Sequence, residues 1–232
     1  MENNDKNKLL AIIRKGKMSL YDKKICLEIL EKNVFLKTDT IDIFDEVFEL
    51  NKPSVIIIDL LYVGILEEIL PELVRSRKVF QNKKNTNSVF DHTLKVIDIC
   101  PSKFMRWVAL FHDLGKLYTE ETQFKYHEYY SLDIVDKYFL GIKNVDEIKR
   151  VIALHMDPLQ YQVDPNWTNS TINRKISILG YEDAIQFSIY DKKASGAKEK
   201  SLQPLYDLLD KAIEYNNTAK LFNKVDLVEN EN

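Results

Sequence analysis

The stretch Ser54-Val-Ile-Ile-Ile-Asp-Leu-Leu61, SVIIIDLL, decides the fold class. Its β-branched run suits a buried strand as well as a helix, because branching at Cβ favours a pleated backbone. A strand needs a partner, and no other segment of the chain reads as one. Elsewhere the apolar residues return at helical spacing, with only six glycines and six prolines to interrupt them. SVIIIDLL is therefore read as helix and the fold as all-α. The periodicity predicts helices at about residues 5–15, 20–32, 39–50, 53–63, 65–75, 88–99, 103–115, 126–140, 144–155, 168–179, 181–194 and 201–221.

With 232 residues, 45% of them hydrophobic, the chain can bury a proper core. Thirty-three basic residues against 36 acidic ones leave a net charge of −3, which excludes a uniformly basic nucleic-acid binder and leaves room for a local patch. The opening MENNDKNKLLAIIRKGK scatters charges where a secretory signal needs an unbroken apolar core. The longest apolar run, VIIIDLLYVGIL, is short and carries Asp59, so a cytoplasmic protein without a membrane span is expected. Cys26 and Cys100 match no metal or redox spacing and are expected to be buried thiols. The polar stretch SRKVFQNKKNTN, Ser76 to Asn87, is the expected boundary between an N-terminal helical region, residues 1–75, and a domain of residues 76–222. Residues 223–232 are expected to form a disordered tail.

The four histidines all fall in the second region, each near the end of a predicted helix. His92 lies in FDHTLKVIDI, and His112 with Asp113 ends WVALFHDLGK. His127 opens KYHEYYSLDIVDKYF, and His155 ends EIKRVIALHMDP, where Pro158 is read as the stop. A helical bundle can gather side chains from such places into one site. A single histidine on a helix is more often a half-buried side chain than a ligand, so the pattern matters more than any one member. Imidazole and carboxylate together suit a divalent cation, because a neutral ring nitrogen and a hard oxygen anion hold it while leaving water positions open.

The order His92, then His112-Asp113, then a distant aspartate, resembles the HD superfamily of metal-dependent phosphohydrolases. The segments EEILPELVRSRKVFQNKKNTNSVFDHTLKVIDI, MRWVALFHDLGK, FKYHEYYS, IKRVIALHM and TINRKISILGYEDAIQFSIYDKKASG are similar in order and wording to the C-terminal HD region of bacterial CCA-adding tRNA nucleotidyltransferases. FDEVFELNKPSVIIIDLLYVGILEEILPEL resembles the helical neck of those enzymes, so the resemblance covers about residues 40–197. It implies an HD-domain helical bundle with a neck-like N-terminal helical extension. It implies that His92, His112, Asp113 and Asp191 hold a primary metal ion, and that His127 and His155 add a second. Asp191 is singled out by the resemblance alone; from its surroundings it reads as a solvated charge beside Lys192 and Lys193. The nucleotidyltransferase head has no counterpart, since the chain has no two adjacent glycines and no Asp-x-Asp. Nucleotide addition is therefore not expected.

Six candidate ligands imply one or two divalent ions per chain, with Asp113 bridging in the two-ion form. Manganese, iron, nickel, cobalt, magnesium and zinc all accept such ligands. Two cations roughly 3.5–4 Å apart lower the pKa of a shared water and balance charge on the attacking and leaving oxygens. The expected reaction is hydrolysis of a phosphomonoester or phosphodiester of a nucleotide or an RNA terminus, for example a 2′,3′-cyclic phosphate. Asp113 and Lys116 are the expected catalytic residues. Lys116 is placed like the family's phosphate-facing lysine, or else pairs with a helix dipole. Arg106 is read as a structural or exposed arginine.

Arg75, Arg77, Lys78, Lys83 and Lys84 precede the ligands and Lys192, Lys193, Lys198 and Lys200 follow Asp191, as a positive rim or as solvated surface. Tyr118, Phe124, Tyr126, Tyr129 and Tyr130 could stack bases or serve helix packing. The alternative reading is a non-catalytic RNA- or partner-binding module that kept the fold. A nucleotide or RNA end is the expected partner, no membrane is, and the oligomeric state is not encoded legibly.

Overall fold

The computed structural model describes residues 1–80, 87–120, 124–139 and 144–229, with side chains up to residue 218. The chain forms two compact units, Met1–Lys149 and Arg150–Asn232. Among the described residues the architecture is all-helical, and the sole β feature is an isolated antiparallel bridge between Phe80 and Ser88.

The first unit contains α1 (Asn3–Ile13), α2 (Leu20–Lys32), α3 (Lys37–Val47), α4 (Pro53–Tyr62), α5 (Ile65–Ile69) and α6 (Pro71–Arg75), followed by a 3-10 turn, Ser76–Lys78. It continues with α7 (Val89–Ile99), α8 (Lys103–Phe111), a second 3-10 turn (Leu114–Tyr118) and α9 (His127–Phe139). The division between the units falls inside α10 (Val145–Leu154). The second unit holds α11 (Asp157–Val163), α12 (Asn169–Ile176), α13 (Tyr181–Ala194) and α14 (Glu199–Glu229). The last helix thus enters the stretch expected to be a tail.

SVIIIDLL is helical, as α4, and its neighbours explain why. The backbone N–H and hydroxyl of Ser54 both donate to the Asp98 carboxylate of α7, at 3.0 and 2.6 Å. An N-terminal turn with orphan donors is thereby capped from another helix. Asp59, the charge inside the apolar run, accepts from the Met18 N–H at 2.9 Å and from Lys23 at 2.7 Å. Cys26 and Cys100 are both buried, and burial pushes the Cys26 thiol up to about 12.

Two expected helices break or stop early, and one helix was not expected. The helix expected at 65–75 breaks at Leu70, which is kept out of the helical region (φ −151°, ψ 70°) because it precedes Pro71. The helix expected at 103–115 stops at Phe111, for a tertiary reason given below. Pro158 does more than stop a helix: it lies in the first turn of α11, where its missing N–H costs nothing. That short helix was not anticipated.

An aromatic cluster backs α8 in the first unit. Trp107 packs edge-on against Phe48 and Phe139, at centroid distances of 4.9 and 4.8 Å, and its indole N–H donates to Asp45 at 3.1 Å. Arg106 is structural, donating to the carbonyls of Cys100, Phe48 and Leu50. The second unit has its own core of Leu159, Ile172, Tyr181, Ile185, Leu205 and Leu208, among others.

Glu72 joins α6 to α9 and is only 2% exposed. Its carboxylate accepts from Lys137 and from the Tyr138 hydroxyl, both at 2.6 Å. Burial alone would raise its pKa, but these two donors outweigh burial and hold it below the usual glutamate value. A depressed folded pKa stabilises the protein above the unfolded value of roughly 4.3, and that stability is lost as pH falls through the folded value. Glu72→Gln is expected to lower stability by about 1–3 kcal/mol at pH 7 in urea titrations. The gap to wild type should close in acid; a gap unchanged at pH 3 would show that charge is not its source.

Candidate metal centre

His92 is set by the start of α7. A capping box forms there: the Ser88 hydroxyl accepts from the Asp91 N–H at 3.1 Å, and the Asp91 carboxylate accepts from the Ser88 N–H at 3.2 Å. Fixing that start fixes the helical phase, and the next residue, His92, turns inward to 5% exposure.

His112 and Asp113 are set by α9. His112 keeps helical backbone angles, whereas Asp113 leaves the helix at φ −109°, ψ −4°. The Ser131 hydroxyl of α9 donates to the His112 carbonyl and accepts from the Gly115 N–H, each at 2.9 Å. A Cβ at position 115 would lie 1.9 Å from the His127 carbonyl oxygen, so only glycine lets α9 approach this closely. The glycine of FHDLGK is thus a packing requirement. Ser131→Ala would leave the buried Gly115 N–H without an acceptor, at about 1–3 kcal/mol. The same change should weaken divalent-ion affinity about 10- to 100-fold in a titration, as loss of a group orienting a ligand does. Unchanged affinity would mean that the His112-Asp113 turn holds its shape without Ser131.

Two of these imidazoles share one mode of anchoring. His112 Nδ1 lies 2.8 Å from the Ala109 carbonyl, and His127 Nδ1 lies 2.8 Å from the Phe124 carbonyl. A carbonyl only accepts, so Nδ1 carries the proton and Nε2 of the neutral ring presents a lone pair. The Nε2 atoms of His92, His112 and His127 stand 3.9, 3.4 and 3.3 Å from the Asp113 carboxylate. These separations are longer than ordinary hydrogen bonds. They are close to the spacing of roughly 3.0–3.5 Å between donors that each sit about 2.1 Å from one cation. The donor set fits a divalent ion of the imidazole- and carboxylate-accepting kind.

Asp113 itself is 3% exposed. Burial pushes its pKa up, but its electrostatic contacts with His112, Lys116 and His127 win, and the carboxyl is held well below the usual range. Lys116 Nζ donates to Asp113 at 2.7 Å and stands 5.3 Å from the Phe124 ring centroid. The contact seen for Lys116 is thus with a site carboxylate, which is neither of the two roles expected from the sequence.

In the second unit, His155 follows the end of α10 and is 1% exposed. Its Nδ1 lies 2.6 Å from the Ile152 carbonyl, the same three-residue anchor as in His112 and His127. The Ser188 hydroxyl of α13 lies 2.8 Å from the His155 carbonyl, and Phe187 meets the ring edge-on at 6.2 Å. Asp191, half-buried, follows Ser188 by one helical turn, so the turn bearing His155 is held on the helix bearing Asp191.

Among the basic residues, Arg75, Arg77 and Lys78 are exposed, Lys192 and Lys193 half-buried, and Lys198 and Lys200 exposed; Lys83 and Lys84 lie outside the described residues. Tyr118, Tyr126, Tyr129 and Tyr130 are 42–66% exposed, so helix packing does not account for them. Phe124 and Tyr126, which lead into His127, have left-handed backbones at φ 45° and 62°. Such strain in bulky residues persists only where the surroundings impose it. Reading the sequence missed Ser131, whose one signal was a hydroxyl one turn after a candidate ligand.

The candidate ligands are therefore His92, His112, Asp113 and His127 in the first unit and His155 and Asp191 in the second. A helical fold that buries four histidines, three of them with Nδ1 tethered to a backbone carbonyl, and an ionised aspartate defines a candidate divalent-metal protein. Residues 89–195 match the model of the HD domain, which supports the resemblance to the HD superfamily and the general activity of that class, metal-dependent phosphohydrolysis. No curated protein matches the chain. Among the described residues no helix is long and apolar enough to cross a membrane.

Proposed function

We propose that the protein is a metal-dependent phosphohydrolase acting on a phosphomonoester or phosphodiester of a nucleotide or an RNA terminus in the cytoplasm, for example a 2′,3′-cyclic phosphate. In this reading His92, His112, Asp113 and Asp191 would hold one divalent ion, and His127 and His155 would contribute ligands to a second. What carries it is the anchoring of the rings: with Nδ1 committed to a backbone carbonyl in His112, His127 and His155, each presents Nε2 as a ready ligand. Bound divalent ions would supply Lewis-acid charge and bring the pKa of a water towards neutrality.

The chain's own groups do the rest. Asp113, kept ionised, places negative charge where cations are needed. Lys116, already on that carboxylate, donates to a phosphoryl oxygen and steadies the leaving charge, which a site shielded from water makes more effective. The likeness in wording to the neck and HD region of CCA-adding tRNA nucleotidyltransferases supports an RNA end or nucleotide as substrate.

Elemental analysis of untagged protein, paired with hydrolysis of bis-p-nitrophenyl phosphate and 2′,3′-cyclic AMP, tests the reading. About two ions per chain and turnover of the cyclic nucleotide are expected. Protein with no bound metal and no turnover across a broad phosphoester panel would overturn it. Tight tRNA binding indifferent to chelation would then mark the chain as a binding module.

A further inference from the structure

On the footing of the phosphohydrolase reading, we propose that the face of α9 next to His127 carries a nucleobase subsite. A cavity of about 280 Å³ is lined there by Glu72, Tyr118, Tyr130, Asp133, Ile134 and Lys137. Ile134 is buried, at 4% exposure, and gives the cavity an apolar wall. The rings of Tyr118 and Tyr130 stand 6.2 Å apart, tilted by 34°, and are 47% and 42% exposed. Flat aromatic faces left open beside a pocket suit a ring that stacks on them, and every base offers such a face.

The polar groups agree with a nucleoside. Glu72 is engaged by Lys137 and Tyr138, while the exposed Asp133 carboxylate can accept from ribose hydroxyls or an exocyclic amine. Two carboxylates at the cavity repel a phosphate, so the phosphate belongs elsewhere, towards Lys116. Arg75 donates to the Tyr118 hydroxyl at 2.9 Å and lies 5.8 Å from its ring centroid, which holds that face in place from outside.

Position links the cavity to the candidate centre. His127, Tyr130, Ile134 and Lys137 recur every three or four residues of α9 and so share one stripe. Tyr118 ends the same 3-10 turn that bears Lys116. Tyr130 therefore lies three residues, roughly 4.5 Å along the helix axis, from His127. One nucleotide spans such a distance.

The test compares kcat/KM for 2′,3′-cyclic AMP with that for the base-free cyclic phosphate of methyl riboside, in wild type, Tyr130→Ala, Tyr130→Phe and Asp133→Asn. Tyr130→Ala is expected to lower the ratio roughly tenfold or more, with Tyr130→Phe restoring it. In parallel, adenosine should shift the tyrosine ring signals in NMR spectra of the full chain, including the one that Tyr130→Ala removes. An unchanged ratio and no shift with adenosine would overturn the subsite even where the cyclic phosphate is hydrolysed. Adenosine shifting the Tyr130 signal in protein that hydrolyses nothing would support the subsite and overturn the hydrolase reading instead.

Discussion

Asp113→Ala is expected to abolish phosphoester hydrolysis, by at least about 10²- to 10³-fold, and to strip the protein of bound divalent metal. Three imidazoles face this carboxylate at 3.3–3.9 Å, and Lys116 is bonded to it at 2.7 Å. Removing it leaves lone pairs converging on a space with no anion, so a cation loses both a ligand and the charge that balances it. Asp113→Asn keeps the shape and removes only the charge, and it should fail nearly as badly. Far-ultraviolet circular dichroism should show helical content retained in both variants, separating a lost site from a lost fold. Full turnover by Asp113→Ala would mean that the chemistry lies elsewhere.

Gly115→Ala is the substitution with the largest expected effect on stability, about 3 kcal/mol or more. The added methyl would sit 1.9 Å from the His127 carbonyl oxygen and 2.6 Å from the Ser131 nitrogen, both backbone atoms that no rotamer change can move. Relief requires α9 to retreat, and with it His127 and the Ser131 hydroxyl that ties down the His112-Asp113 turn. Urea unfolding should show the midpoint falling, and metal titration should show weakened binding in the protein that remains folded. A variant within 1 kcal/mol of wild type would show that the two segments can separate freely, contrary to the packing described.

Much of the centre could be read before any coordinates. His92, His112, Asp113 and His127 came from residue type and helical phase, and they do meet; the capping box at Ser88 that sets the phase of His92 is a local feature that sequence encodes. Asp191 could not be found that way. An aspartate beside two lysines carries no local mark of a ligand, and only likeness to a family picked it out. Pro71 did carry a local mark, and the break it imposes at Leu70 follows from sterics between a proline and the residue before it.

By itself the amino-acid sequence determined the all-helical class, the residue types of the candidate centre and their order along the chain, because helical periodicity and ligand chemistry are properties of neighbouring residues. Tertiary structure alone decided that the start of the SVIIIDLL helix is capped by Asp98, that α8 stops at Phe111, and that the imidazoles show Nε2 to Asp113. Each of these depends on a group distant in sequence: a carboxylate 44 positions from Ser54, and a serine 16 positions from Gly115. No local propensity reports such contacts, since their free energy exists only once the segments have packed.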